Sequence, residues 1–527
     1  MDGHLTRAAV PAGSDVAGGL HEASAPTRML AACPLCASPR LHYAFSQGPL
    51  RFARCSDCRL LLQNPQFGVA SGSDPESKRP WRDLPDERER AWARNDLEQV
   101  GHYRGRNGGR LLELGFGGGA YAEQGASFGY EPDRSRIGDG VFARDEMDTS
   151  EGVSPVDVCV VADLIERVGD PVRFLHDLHH RLVPGGTLLL TTRSSRRGDA
   201  ARQTATGLEP SRRFHFDEST LANLFYRAGY EHVLMFPRRH LSPVAPGETR
   251  PVSGAGFLVF ARVAAEAARQ SLSVIVPAYN EAATFEPLME RLLAKQLPGM
   301  DVDIIVVESN SNDGTRELAI KYDSHPRVEL IFEDRPAGKG HAVRRALRQA
   351  KGEFILIQDA DLEYDIEDYD GLLEPLLSYR ACFVLGARHG GQNRWKMRRF
   401  AEAPAVSFTM NAGHWVFTTL VNVLFGLRLR DPFTMFKVFR RDCLFGLEFH
   451  CNRFDFDYEL LIKLARKGYV PIEIPVNYRS RSYAEGKKVS FIRDPLTWLR
   501  ALAQLRVEPL RLLENAGAVH ALDTRGS

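Results

Sequence analysis

Residues 355–363 read Ile-Leu-Ile-Gln-Asp-Ala-Asp-Leu-Glu, a short apolar run that ends in closely spaced carboxylates. Alternate residues of a strand point to the same face, so Asp359 and Asp361 would lie side by side if the strand continued. Glu363 follows two residues later. Carboxylates placed in this way bind one Mg²⁺ or Mn²⁺, whose other ligands are commonly substrate phosphates. A solvent-exposed acidic turn is the alternative interpretation of this stretch taken alone.

Two apolar segments upstream, at residues 272–278 and 302–307, also end in polar residues. These polar residues are, in chain order, Tyr279, Glu281, Glu308 and Asp313. Short strands that alternate with helical segments favour a mostly parallel sheet with helices on both faces. Ligands of such sheets bind beyond the carboxyl ends of the strands. Three polar strand ends therefore predict one site at a single edge of the sheet.

The order of these motifs resembles that of the inverting nucleotide-sugar glycosyltransferases of family two, which have the A-type fold. Within that family the polyprenyl-phosphate sugar synthases, such as dolichol-phosphate mannose synthase, are most similar. The resemblance covers about residues 271–495 and includes the loop 308–315 and Gly338-Lys339-Gly340. It implies transfer of a sugar from a nucleotide-diphosphate sugar to an acceptor, either a lipid phosphate or a glycan intermediate.

The resemblance also assigns roles to single residues. The residues that would bind the nucleotide and its diphosphate are Pro277, Tyr279, Glu281, Glu308, Ser309, Asp313, Lys339, Arg481 and Lys487. The residues that would hold Mg²⁺ or Mn²⁺ are Asp359, Asp361 and Glu363. Glu308 and Ser309 stand where the family usually has two Asp residues, so the choice between guanine and uracil stays open.

A second group of residues is predicted to act on the acceptor. Arg388 and Arg399 stand at positions that resemble the acceptor-phosphate arginines, and a guanidinium binds two phosphate oxygens at once. Asp431 would close the acceptor site, or act as a base if the acceptor is a hydroxyl. Asp457 or Glu459 is a second candidate for that base. A phosphate acceptor is already an anion and needs no base. The metal, with Asp361 as a central ligand, would stabilise the charge on the leaving diphosphate.

The chain has no uninterrupted apolar run of about eighteen residues, the length that predicts a membrane-spanning helix. Residues 400–427 come nearest, but Glu402, Asn411 and His414 interrupt them. This segment predicts either a helix that lies among lipid headgroups or a helix packed on the sheet. The net charge of +1 gives no general attraction to nucleic acid. We therefore expect no nucleic-acid partner and a cytoplasmic location, with peripheral contact at the inner face of the membrane as a further expectation.

Two Cys-x-x-Cys pairs, Cys33/Cys36 and Cys55/Cys58, are separated by eighteen residues. Four thiolates at that spacing suit a structural, tetrahedral Zn²⁺ site. No signal peptide is apparent, and a reducing cytosol favours a metal over disulfides. A redox-active pair is the alternative.

Residues 110–119, Arg-Leu-Leu-Glu-Leu-Gly-Phe-Gly-Gly-Gly, predict a strand that ends in a glycine-rich turn. Glu131 follows at the end of a second strand, where an acid can bind a ribose. With the segments 156–168 and 182–190, this order resembles the class I S-adenosylmethionine-dependent methyltransferases. The resemblance implies that the methionine part of the cofactor is bound by Glu113, Gly115, Gly117 and Gly119, and its ribose by Glu131.

Two departures from that family leave two functions open for the amino-terminal half. The helix between Gly119 and Glu131 is about one turn short, and Glu166-Arg167 replaces the usual Glu-His. An active methyltransferase would make the chain bifunctional. A non-catalytic scaffold or recruitment module is the alternative.

At 527 residues the chain can form two domains with their own cores. We predict an α/β protein with two doubly wound sheet domains, one Rossmann-like and one of the A type, and a small zinc ribbon. The predicted divisions are a disordered tail at 1–28, the ribbon at 29–65, the methyltransferase-like domain at 80–262, the glycosyltransferase domain at 271–510 and a tail at 511–527.

Overall fold

The structure is a computed structural model. It describes residues 26–48, 50–67, 85, 87–115, 119–133, 154–193, 212–238, 256–263, 269–388, 404–479 and 493–508. Four of the predicted site residues lie outside these ranges, as does the tail at 511–527. These four residues are Gly117, Arg399, Arg481 and Lys487.

The amino-terminal half contains twelve strands and four helices in the described residues. They are β1 (Pro26–Arg28), β2 (Leu41–Gln47), β3 (Leu50–Cys55), β4 (Leu61–Gln63), β5 (Gln66–Phe67), α1 (Glu87–Arg104), β6 (Gly109–Gly115), α2 (Ala120–Gly125), β7 (Tyr130–Pro132), β8 (Val156–Ala162), α3 (Pro171–Arg181), β9 (Leu182–Arg193), β10 (Phe214–His215), α4 (Glu218–Arg227), β11 (Tyr230–Arg238) and β12 (Gly256–Val263).

The carboxy-terminal half contains seven strands and seven helices in the described residues. They are β13 (Gln270–Ala278), α5 (Ala282–Ala294), β14 (Met300–Glu308), α6 (Thr315–Ile320), β15 (Val328–Phe332), α7 (Lys339–Leu347), β16 (Phe354–Ile357), α8 (Tyr369–Leu377), β17 (Phe383–Ala387), α9 (Pro404–Phe425), β18 (Lys437–Arg440), α10 (Phe456–Lys467), β19 (Ile472–Pro475) and α11 (Arg493–Val507).

The first large sheet has the order β11-β12-β9-β8-β6-β7. Its strands β7, β6, β8 and β9 are parallel, and β12 and β11 add an antiparallel edge. The second sheet has the order β15-β14-β13-β16-β18-β17-β19. There β18 runs antiparallel to both of its neighbours, while the other pairs are parallel. The two sheets confirm the predicted α/β class.

The strands at the centre of the second sheet are buried on both faces because helices cover the sheet on each side. All four residues of β16 are buried, as are residues 272–276 of β13 and 304–308 of β14. Near-continuous apolar strands are typical of parallel sheets in α/β proteins. Their register fixes where each strand ends, and so where the polar residues that follow are placed.

A small four-stranded sheet, in the order β10-β4-β3-β2, joins the cysteine-containing segment to the first half. Its edge strand β10 lies between β9 and α4 in the chain and pairs with β4. Strand β1 occupies residues 26–28, the last three residues of the predicted tail. Strand β1 pairs antiparallel with β5.

Candidate active site

The loops that follow β13 and β14 are held together at the carboxyl edge of the second sheet. Ala282 donates its backbone N–H to Asp313 Oδ2 at 3.0 Å, and Glu281 donates to Thr315 Oγ1 at 2.8 Å. A third bond joins the Asn280 amide to Ser311 Oγ at 2.9 Å. The structure therefore brings the first two predicted polar strand ends into one contiguous surface.

Each of the three strand-end loops contains a non-glycine residue in the left-handed region. They are Asn280 with φ 52°, Asn310 with φ 55° and Leu362 with φ 55°. Asparagine tolerates this conformation, but for leucine it is unfavourable. Strained backbone persists where the surroundings hold it, and it is concentrated at functional sites. Leu362 lies inside the acidic motif, so the strain falls where the sequence predicts the metal.

The acidic motif follows β16, but its three carboxylates have different partners. Asp359 forms an ion pair with Lys339, and Glu363 accepts a hydrogen bond from the Tyr478 hydroxyl at 2.6 Å. Asp361 accepts the Glu363 amide at 3.2 Å. In the described ranges, no group of three carboxylates brings its ligand atoms within 4.8 Å of one another. The three-carboxylate metal site stays a prediction, and the Glu363 carboxylate is oriented towards Tyr478.

Lys339 is the first residue of α7 and provides the positive charge next to the acidic motif. Burial alone would lower its pKa, but the negative charges of Asp359, Asp457 and Asp361 together outweigh burial and raise it. The preceding Gly338 has φ 106°, a backbone conformation that residues other than glycine rarely adopt. A Cβ on Gly340 would lie 2.5 Å from the Cβ of Phe456. The two glycines thus let α7 approach the start of α10.

Asp431 is fully buried and forms a bidentate ion pair with Arg388 through both carboxylate oxygens. Its Oδ1 accepts from Nη2 at 2.7 Å, and its Oδ2 accepts from Nε at 2.8 Å and from the Arg388 amide at 3.0 Å. Burial would raise the pKa of Asp431, but the guanidinium reverses this and holds it well below its usual range. A carboxylate held in this way is a weak base. Its three hydrogen bonds instead fix the orientation of the Arg388 side chain. The Arg388 guanidinium also lies 5.3 Å from the centre of the Tyr478 ring.

Asp457, in the first turn of α10, has the opposite environment. Burial raises its pKa to about 6, although Lys437 and Lys339 oppose the shift. Its Oδ1 has no hydrogen-bond partner among the residues that the structure describes. Glu459, the other candidate in this helix, accepts the amides of His450 and Cys451 and pairs with Lys463 at 2.7 Å. Of the base candidates, Asp457 therefore has the pKa near neutral pH and the available oxygen that a general base requires.

Glu308, at the end of β14, is buried and already bonded within the protein. It accepts the Ser311 amide at 2.6 Å and lies 3.3 Å from Arg316 Nε. Ser309 donates its hydroxyl to Glu333 Oε2 at 2.7 Å. Among the other residues assigned to the nucleotide, Pro277 is half-buried and Tyr279 is exposed at the end of β13. The structure thus keeps this set at one edge but gives Glu308 and Ser309 protein partners.

Five residues of this region were missed by the sequence interpretation. They are Arg316, Glu333, His341, Lys437 and Tyr478. Lys437, on β18, is fully buried, and burial lowers its pKa to about 8. A lysine at the start of a buried strand that follows Asp431 closely in the chain is a signal that the sequence does offer. The Glu333–His341 pair offers none, because its members come from different elements.

The four cysteines of the two pairs meet at one point in the structure. The Sγ atoms of Cys33 and Cys58 are 3.5 Å apart, as are those of Cys36 and Cys55. All four lie within 4.8 Å of one another. Zn–S bonds of about 2.3 Å in a tetrahedron place sulfur atoms slightly less than 4 Å apart. The arrangement therefore fits a closed metal site.

The glycine-rich turn after β6 is built around Glu113. Its carboxylate accepts the amides of Gly119 at 3.2 Å and Ala122 at 2.9 Å, and burial raises its pKa. Gly115 has φ 97°, which requires glycine. Helix α2 has six residues and continues into a 3₁₀ turn, Ala126–Phe128, and Glu131 is exposed on β7. The Glu113 carboxylate thus links the end of β6 to the start of α2.

Glu166, which precedes Arg167 of the second departure, is buried among protein partners. Its carboxylate lies 3.3 Å from the Arg212 guanidinium and accepts the Thr192 hydroxyl at 2.9 Å. Its backbone oxygen accepts from Arg213 and Phe214, at the start of β10. This residue connects the first large sheet to the cysteine-containing sheet.

Comparison with known proteins agrees with both resemblances. Residues 273–444 match the model of glycosyl transferase family 2, and residues 79–234 match a methyltransferase domain model. The chain therefore carries a family 2 glycosyltransferase domain in its carboxy-terminal half and a methyltransferase domain in its amino-terminal half.

Individual relatives match the carboxy-terminal half. Glycosyltransferase AglD of Haloferax volcanii is 30% identical over 47% of this chain and 39% of its own length. Dolichyl-phosphate beta-glucosyltransferase ALG5C of Trichomonas vaginalis is 29% identical over 39% of this chain and 62% of its own. Dolichol-phosphate mannosyltransferase of Pyrococcus furiosus is 28% identical over 41% and 58%. The chain thus spans less than two thirds of each of these three relatives.

Proposed function

We propose that the carboxy-terminal half is a metal-dependent, inverting glycosyltransferase that uses a nucleotide-diphosphate sugar. The observation that carries the proposal is the grouping of Lys339, Asp359 and Asp457 beside the strained acidic loop. Asp361 with Asp359 would hold Mg²⁺ or Mn²⁺, which would neutralise charge on the departing diphosphate. Lys339 would contribute a second positive charge to the same group.

The acceptor that we propose is a polyprenyl phosphate, and the similarity to dolichyl-phosphate and dolichol-phosphate sugar transferases supports this choice. Arg388, oriented by Asp431, would bind the acceptor phosphate with the guanidinium nitrogen that Asp431 does not use. The attack of the acceptor phosphate on the sugar would then require no proton transfer. If the acceptor is instead a glycan hydroxyl, Asp457 would take its proton.

For the amino-terminal half we propose S-adenosylmethionine binding at the turn around Glu113, Gly115 and Gly119, with Glu131 at the ribose. The methyltransferase domain match supports this proposal. A non-catalytic scaffold is the second candidate, and the short helix α2 favours it. We also propose one structural Zn²⁺ at the four cysteines, and the division of the chain at residues 80–262 and 271–510.

Calorimetric titration of the full chain with a panel of nucleoside diphosphates, with and without Mn²⁺, tests the glycosyltransferase proposal. We expect binding of one nucleotide that requires Mn²⁺ and weakens at least tenfold in Asp361→Ala. Asp370→Ala is the matched control, because Asp370 is an exposed carboxylate that pairs with Lys295 on the surface. Equal loss in both variants, or no metal-dependent binding, would refute the proposal.

Titration with S-adenosylhomocysteine in the same series separates the two candidates for the amino-terminal half. Binding that is lost in Glu113→Gln but kept in Asp361→Ala would establish a second, independent cofactor site. No binding by the wild-type chain would leave the scaffold as the function of this half.

A further inference from the structure

Helix α9 exposes an apolar face to solvent. Its members are Phe408, Trp415, Val416 and Val423, with exposed fractions of 61%, 56%, 54% and 75%. Their spacing of seven, eight and fifteen residues from Phe408 places all four on one side of an α-helix. Although α9 has 22 residues, it contains no Asp, Glu, Lys or Arg. An exposed helical face without charge is unusual for a surface that meets only water.

The opposite face of α9 is packed against the protein. Phe417 and Val421 are buried, and the Phe417 ring contacts Trp498 of α11 with centroids 5.4 Å apart. None of the described helices is both long and apolar enough to cross a bilayer. The two predictions for this segment therefore apply to different faces: one face packs on the domain, and the other is presented outward.

The apolar face lies on the same helix that borders the proposed acceptor site. His414 Nε2 is 3.3 Å from the backbone oxygen of Arg430, and its ring packs against Phe433 at 4.9 Å. Asp431, which forms the ion pair with Arg388, lies between Arg430 and Phe433 in the chain. A surface that touched the outward face of α9 would thus be one helix away from the arginine proposed to bind the acceptor phosphate.

The charged residues that directly follow α9 in the chain, and exposed residues of its neighbour α11, include arginines. Arg428 and Arg430 are exposed directly after α9, and Arg500 and Arg506 are exposed on α11. The sequence from residue 404 to residue 430 has no acidic residue. An apolar stripe with tryptophan on a helix that is followed in the chain by exposed arginines is the composition of helices that lie at the boundary between lipid headgroups and acyl chains.

We propose that the apolar face of α9 docks on a bilayer that contains anionic lipid, with the helix axis in the plane of the membrane. The docking rests on the exposed face itself, whereas its purpose rests on the proposed function: it brings Arg388 to the phosphate of a membrane-resident acceptor. The acceptor class that follows is a phosphate carried on a lipid chain.

Vesicle co-sedimentation of the full chain tests the docking. We expect binding to phosphatidylcholine vesicles that contain phosphatidylglycerol, and at least tenfold weaker binding for Val416→Lys. Ile320→Lys is a matched control, because Ile320 is also an aliphatic residue on a helix, with the same exposed fraction of 54%. Val423→Lys provides a second variant at a more exposed position. Brominated lipid should quench Trp415, measured as the difference from Trp415→Phe.

Three results would overturn the docking. They are absence of wild-type binding, equal losses in Val416→Lys and Ile320→Lys, and a wild-type dimer that Val423→Lys dissociates without any vesicle binding. The last result would assign the face to a second copy of the chain. Nucleotide binding is measured separately, so vesicle binding without it would refute the proposed function and leave the docking in place.

Discussion

At the level of single residues, Asp431 and Asp457 show how the same side chain acquires opposite properties in one site. Both are almost completely buried, and burial favours the neutral acid. Asp431 makes three hydrogen bonds to Arg388, and these outweigh burial. Asp457 faces two lysines without such bonds, so its pKa is raised to about 6. Near neutral pH it is therefore ionised but easily protonated, which is the condition of an effective base.

Asp457→Asn should separate activity from stability. With a hydroxyl acceptor, wild-type kcat/KM should rise with pH up to about 6 and then level off, and the variant should lose at least about a hundredfold. With a lipid-phosphate acceptor the loss should be below about tenfold, because no proton is transferred. A flat wild-type profile between about pH 5 and pH 8, combined with a large loss in Asp457→Asn and a hydroxyl acceptor, would contradict the role of base.

The same variant has a predicted effect on unfolding. Because the folded pKa of Asp457 is raised, its contribution to stability is complete below about pH 4 and is lost as the pH rises through about 6. The rise of the Asp457 pKa from 3.8 to about 6 corresponds to at most about 3 kcal/mol. At pH 8 the free energy of unfolding of Asp457→Asn, measured by urea titration, should therefore exceed that of the wild type by up to about 3 kcal/mol. The difference should vanish near pH 4.

At the level of elements, the sequence predicts the strands better than the contacts between their loops. The buried strands β13, β14 and β16 follow from apolar runs, and the polar residues after them follow from parallel register. The orientation of Glu363 towards Tyr478 does not follow, because 115 residues separate the two. The neutralisation of Asp359 by Lys339 requires the approach of α7, which depends on packing rather than on local pattern.

The approach of α7 to α10 depends on Gly340. Gly340→Ala would place a methyl group 2.5 Å from the Cβ of Phe456 and 2.9 Å from the Arg453 oxygen, so the helices must separate. This displaces Lys339 and Asp457 together, and we expect nucleotide affinity to fall about tenfold and stability by about 1–3 kcal/mol. Gly371→Ala in α8 is the control, since nothing lies within 4 Å of its added methyl group. It should be stabilising by up to about 1 kcal/mol. Equal effects of the two substitutions on affinity would contradict this role of Gly340.

At the level of the whole molecule, the two halves are joined through α4 and the region after β18. Tyr226 donates its hydroxyl to Asp442 Oδ2 at 3.0 Å, and the Val233 amide donates to the same oxygen at 2.8 Å. The Arg440 guanidinium lies 4.0 Å from the centre of the Tyr226 ring. These contacts lie at the end of the second sheet opposite the acidic motif, because β18 runs antiparallel and ends at Arg440. The sequence predicted two domains, but it contains no local signal for this contact between them.

Asp442 accepts hydrogen bonds from Tyr226 of α4 and from Val233 of β11, so its removal should weaken the connection between the halves. In Asp442→Ala, the Tyr226 hydroxyl and the Val233 amide lose their acceptor, at a cost of about 1–3 kcal/mol each. Because neither half loses a bond within its own sheet, we expect the single calorimetric transition of the full chain to separate into two. Asp442→Asn keeps one acceptor oxygen and should show a smaller separation. A single transition in Asp442→Ala at the wild-type temperature would mean that the remaining contacts around α4 hold the two halves as one cooperative unit.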